Sequence, residues 1–194
     1  MKKKIVSLVL VFAMALALGI GGTIAWLTDK TETVTNTFTV GNIDITLKET
    51  KNDFKMVPGS EIEKDPKVTV KGGSEACWLF VKIEESDNLD DFITYAVATG
   101  WTELTEGSGV YYREVAASDA DQPFAVIGNK GFDGKSEFVA DKVLVNEDVT
   151  KDDLQAVKET NKPTLSFTAY AVQKENIATA AAAWEIAVPT TPAA

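Results

Sequence analysis

The chain has 194 residues with 29 acidic against 19 basic side chains, a formal charge of −10, no histidine and one cysteine. That balance opposes nucleic acid and anionic lipid as partners, and a lone cysteine rules out an internal disulfide. The lack of imidazole removes the commonest metal ligand and the usual general base near neutral pH, so paired-histidine zinc helices and histidine-activated nucleophiles are excluded.

At the start, Lys2, Lys3 and Lys4, the apolar run 5–20 and the segment Gly21-Gly22-Thr23-Ile24-Ala25-Trp26 read as a secretory signal peptide. Thr23 and Ala25 place small side chains three and one positions before the Ala25–Trp26 bond, which is the predicted cleavage point. The competing reading is an uncleaved anchor, since about 18 apolar residues reach across a bilayer. Gly19, Gly21 and Gly22 loosen the run, and no basic cluster follows it, which favours cleavage. Loss of residues 1–25 takes away three lysines, moves the charge from −10 to −13 and leaves no stable membrane span. Residues 26–188 then read as one β-sandwich domain, and 189–194 as a loose tail.

Strands dominate the rest. Val34, Phe38 and Val40 alternate with threonines, and Ile43, Ile45 and Leu47 alternate with Asp44, Thr46 and Lys48. Pro58-Gly59 marks a turn before Val68-Thr69-Val70, and Gly72-Gly73 another before 77–83. Cys77, Leu79, Val81 and Ile83 fall on one face of that run and Trp78 and Phe80 on the other, so it is predicted to be a central strand covered on both sides, with Cys77 a packed thiol. The spacing of Leu89, Phe92, Ile93, Ala96 and Val97 predicts a helix over 87–99, stopped by Gly100. Residues 101–104 and 110–115 read as a hairpin around Glu106-Gly107-Ser108-Gly109.

Short strands are predicted around Phe124, Val126 and Ile127 and over 138–145, separated by a glycine-containing loop, 128–134, that lacks phosphate-loop spacing. Thr150 and Asp153 form a capping-box pattern ahead of a short helix reaching about Lys158. Residues 164–173 alternate as a last strand, and 177–188 are helix-prone with Ile177, Ala181, Trp184 and Val188 on one stripe. Many short strands with few helices indicate a mainly β, antiparallel β-sandwich or jelly roll.

Few residues invite chemistry. Serine–lysine or carboxylate-pair hydrolysis stays formally open, but nothing marks any pair, and the acidic groups at 87–91, 119–121 and 148–153 lack calcium-loop spacing. The chain is therefore expected not to be an enzyme and to need no cofactor or metal. Trp101, Tyr111 and Tyr112 form the one candidate ligand surface, for a glycan or a host ligand, against the plainer reading of aromatic rings filling a sheet.

Gly21 to Asp29 (GGTIAWLTD), Thr35 to Ile45 (TNTFTVGNIDI) and Val57-Pro58-Gly59 before a strand resemble the TasA and camelysin family, best over residues 1–83. The resemblance implies a secreted or surface-held jelly-roll protein of Gram-positive bacteria, processed by a SipW-like signal peptidase. It also implies, for the TasA branch, a biofilm-matrix fibre subunit whose N-terminal segment completes the sheet of the next subunit. On this chain that donor role falls on 26–40, with Trp26, Leu27, Val34, Phe38 and Val40 as the apolar residues, and the partner is another copy or another matrix subunit. Pairing of the same segment within its own domain is the competing arrangement. Camelysin is described as a surface metalloprotease, and the missing histidines argue against that branch here. The alternative function is a monomeric surface binding module.

Overall fold

A computed structural model of the chain describes residues 42–50, 54–158 and 160–188. The signal peptide, the Ala25–Trp26 bond, the candidate donor residues Trp26, Leu27, Val34, Phe38 and Val40, and the tail all lie outside them. Thirteen strands and two short helices make up the described residues: β1 (Ile45–Lys48), β2 (Glu61–Glu63), β3 (Lys67–Val70), β4 (Cys77–Glu85), β5 (Ile93–Thr94), β6 (Ala96–Val97), β7 (Thr102–Glu103), β8 (Val110–Val115), β9 (Gln122–Ala125), β10 (Ile127–Asn129), β11 (Val139–Ala140), β12 (Lys142–Val145), α1 (Lys151–Ala156), β13 (Leu165–Gln173) and α2 (Ala180–Ala187). All pairing is antiparallel, in sheets ordered β1-β3-β9, β11-β10-β6, β2-β12-β5 and β13-β4-β8-β7. The fold is mainly β, as the alternation predicts, and no sheet closes into a barrel.

β4 organises the molecule because both of its faces are apolar. Cys77, Leu79, Val81 and Ile83 turn toward the main core, where they meet Val68, Val70, Val126, Ile127, Val143 and Val145 from the three smaller sheets. Trp78 and Phe80 turn the other way, into a second cluster under α2 with Val110, Ala180 and Ala183. Trp184 lies across Phe80 and Tyr170, with ring centroids 5.2 Å from each. Ala180 and Ala183 are the buried helix residues, whereas Ala181 is exposed and Ile177 precedes the helix. The predicted stripe through Ala181 is therefore rotated: the small alanines sit against the strands so that the backbone comes close, and the indole fills the gap beside them. Each large ring buried here contributes about 2 kcal/mol.

The helix predicted over 87–99 does not form. Turns carry 87–92, and β5 and β6 follow. Ile93, Thr94, Tyr95, Val97 and Thr99 are β-branched or aromatic, stiff against a helical turn and at home on a pleated surface. Ile93 pairs with Val145, and Val97 with Ile127. Leu89, Phe92 and Ile93 are still buried and Ala96 and Val97 half-buried, so the spacing identified core residues while misreading the backbone that delivers them. Gly128 and Asn129 likewise belong to β10 rather than to a loop; a Cβ at Gly128 would collide with the Val139 carbonyl and the Phe138 ring. At α1 the capping box forms, with Thr150 Oγ1 accepting from Asp153 N at 3.2 Å and Asp153 Oδ2 from Thr150 N at 2.9 Å.

Candidate functional site

Ladder geometry decides which sheet edges are open. Ser86 N donates to Thr164 O at 3.0 Å and Lys174 N to Ala76 O at 2.9 Å. With the β13–β4 register this directs the even-numbered residues of β13 at β4 and leaves the backbone groups of Leu165, Phe167, Ala169, Ala171 and Gln173 pointing outward. On β1, Lys71 N donates to Asp44 O at 2.8 Å, so Ile45 and Leu47 point away from β3. Among the described residues neither edge pairs further.

The two edges border one groove. Leu47, Glu49 and Thr50 at the end of β1, Pro66, and Leu165 and Phe167 on β13 line a hollow of about 490 Å³. It shares Glu49, Leu165 and Ser166 with a second hollow of about 620 Å³ that reaches Phe54, Met56, Ile62 and Val143. Lys64 stands in the second hollow, buried, with Nζ 2.7 Å from Glu49 Oε1 and 5.2 Å from the centroids of both Phe54 and Phe167. A carboxylate and two ring faces together hold this ammonium out of water.

β9, by contrast, has a blunted outer edge. Val126 N donates to Pro66 O at 3.0 Å, so Pro123 and Ala125 face outward. Pro123 has no N–H to offer, and the Ala125 carbonyl accepts Trp101 Nε1 at 2.8 Å.

The predicted ligand residues are not gathered into one surface. Tyr111 and Tyr112 are consecutive on β8 and lie on opposite faces, Tyr111 against the main core and Tyr112 against the α2 cluster, edge-on to Trp78 with ring centroids 5.9 Å apart. Trp101 has the indole N–H committed to Ala125 and its ring beside the Arg113 guanidinium, 5.4 Å from ring centroid to Cζ. Arg113 itself, Lys64 and Glu49 escaped the sequence reading. The signal that would have found Arg113 is that it is the only arginine in the chain.

Burial shifts the titration of several groups, Cys77 and Tyr95 among them. Desolvation pushes the fully buried Cys77 thiol up to about 11, which keeps it neutral and inert. Desolvation, and after it a hydrogen bond to Glu85, raise Tyr95.

Residues 1–92 match the family described as camelysin metallo-endopeptidase. No curated protein and no solved structure matches the chain. The match corrects one expectation: a chain expected not to be an enzyme matches, over residues 1–92, a family named for an enzyme activity. The missing imidazole eliminates one kind of ligand and base, and that is narrower than eliminating catalysis. The metal in that name finds no fitting set among the described residues, where no three of the Cys, Asp and Glu side chains converge to hold an ion, and the one thiol is buried and held protonated. No catalytic step is derived through a metal. Nor is any described helix long and apolar enough to cross a membrane.

Proposed function

We propose that this chain, whose residues 1–92 match the camelysin family, is exported and works at the cell surface as a subunit that assembles by strand addition. The observation that carries the reading is the open edge of β13. Nine residues long, it is the longest edge strand among the described residues, and its outward groups belong to Leu165, Phe167, Ala169, Ala171 and Gln173. Unpaired N–H and C=O groups on such an edge accept an extended segment from another chain, while the adjoining groove takes alternate side chains. The segment 26–40, threonine-rich with apolar residues Leu27, Val34, Phe38 and Val40, has the composition such a donor needs.

Two variants test this on the exported protein. Deletion of 26–33 is expected to abolish filaments in electron micrographs; unchanged filaments refute the donor role. In Ala169→Pro the lost N–H faces away from β4, so no ladder bond within the sheet is removed. It is expected to melt close to the parent yet fail to assemble, and normal assembly would remove β13 as the acceptor.

The family name supplies a second reading, endopeptidase activity. Chelator-sensitive cleavage of an unfolded protein by the exported chain is the result that would establish it.

A further inference from the structure

Every ion pair within the described residues uses a lysine, from Lys64–Glu49 to Lys174–Glu114. The single arginine pairs with no acid among the described residues. Arg113 extends from β8 toward β9, with its Cζ 3.9 Å from the Phe124 ring centroid and 5.4 Å from that of Trp101. Its Nε is buried and has no hydrogen-bond partner. The two terminal nitrogens also lack partners among the described residues, but they are not sealed from solvent as Nε is. Gly100, at φ +90°, lies beside them, and a Cβ there would come within 3.1 Å of Nη2. Trp101 is fixed by its bond to Ala125, so the slot is held from both sides.

Arg113 is half-buried, and its sealed Nε loses hydration that no described residue replaces, while the terminal nitrogens keep access to solvent. Lysine, a compact and strongly hydrated charge, serves at all the paired positions; here the chain uses the one cation that is planar, stacks on rings and presents a rigid fork. We propose that the Arg113 slot is a binding site for a carboxylate group, received end-on by Nη1 and Nη2 over Gly100, with the body of the ligand lying along Trp101 and Phe124. A planar carboxylate matches both the fork and the flat slot, and two parallel charge-assisted hydrogen bonds result. The chain's charge of −10 selects against polyanions, so the ligand is a monocarboxylate on an apolar or neutral carrier. Two sources supply that chemistry: a free organic acid, or the terminal carboxylate of a polypeptide.

With one arginine in the chain, its Nε–Hε signal in a ¹H–¹⁵N spectrum needs no assignment, and Trp101 Nε1–Hε1 reports the opposite wall. Full-length exported protein is titrated with benzoate, with acetate, with an acetylated alanine peptide carrying a free C-terminus, with the same peptide amidated, and with inorganic phosphate. Saturable shifts of both signals with benzoate, stronger than with acetate and with a dissociation constant on the order of a millimolar, are expected. A response to the free peptide and not to its amide identifies a polypeptide terminus as a source, and a response to benzoate alone identifies a small acid. Arg113→Lys keeps the charge and loses the fork, so it is expected to bind about tenfold more weakly. The proposal is overturned if the parent protein shows no saturable shift with any carboxylate, if phosphate matches benzoate, or if a folded Arg113→Lys binds as well as the parent.

Discussion

Two cations in this fold are each placed against a pair of aromatic rings, and the difference between them separates structure from site. Lys64, at the β1–β13 groove, faces Phe54 and Phe167 and is neutralised by Glu49 at 2.7 Å. Arg113, at the blunted β9 edge, lies between Phe124 and Trp101 and has no acid among the described residues. The ring contacts are alike; the counter-charge is not. The buried Lys64 with its carboxylate is complete and serves as packing, whereas the half-buried Arg113 without one retains unmet hydrogen-bonding capacity. The edges beside them differ in the same sense: β9 is closed by Pro123 and by Trp101, while β13 leaves five outward residues without a strand partner among the described residues.

Breaking the walls gives the largest effect. Trp101→Ala removes a half-buried indole and orphans the Ala125 carbonyl, and is expected to cost about 3 kcal/mol in chemical denaturation; a loss under a third of that would mean the ring merely rests on the surface. Next comes the Lys64 charge. Glu49→Ala strands a mostly buried ammonium and is expected to cost about 2 kcal/mol. Adding Lys64→Met, which keeps volume and removes charge, should recover most of that, so that the double variant is more stable than Glu49→Ala alone. Strictly additive losses would show that the pair is not coupled.

Cys77 is buried like Lys64 but neutral where that cation is charged, and its effect appears only at alkaline pH. Its folded value, about 11, exceeds the ordinary thiol value of 9.0, so above pH 9 the folded state holds a proton that the unfolded state has released. Stability should therefore fall as pH rises from 9 toward 11, by up to about 2 kcal/mol at the top of the range. Cys77→Ala should flatten that slope; an identical slope in the variant would assign it elsewhere. Smallest of all, Arg113→Met gives up no ion pair and relieves an unmet desolvation, so thermal stability is expected to stay within about 1 kcal/mol of the parent. A loss as large as that of Glu49→Ala would make Arg113 a structural cation like Lys64, and the contrast would fail.

Much of the scaffold was legible residue by residue. The two-faced alternation of 77–83 placed β4 at the centre, the glycines of 106–109 joined the β7–β8 hairpin, and Thr150 with Asp153 announced α1. Two misreadings share one cause. Over 87–99 the apolar spacing suits a helix, but strand pairing with β12 and β10 outweighs local periodicity, and on α2 the stripe was rotated by what lies beneath it. The candidate ligand residues do not share one face for a related reason: adjacency along a strand puts Tyr111 and Tyr112 on opposite sides of the sheet.

By itself the sequence determined the class of the molecule, because burial and pleat are written in the period of its apolar residues: a mainly β chain, acidic, histidine-free, with Cys77 inside the core. Only the tertiary structure decided which edges stay open and which cation goes without a counter-ion. Those outcomes depend on residues far apart in the chain, such as Ala76 with Lys174 and Trp101 with Ala125, meeting at hydrogen-bond distance. No local pattern encodes a meeting of that kind, since it is settled by how the sheets stack once their apolar faces have closed on one another.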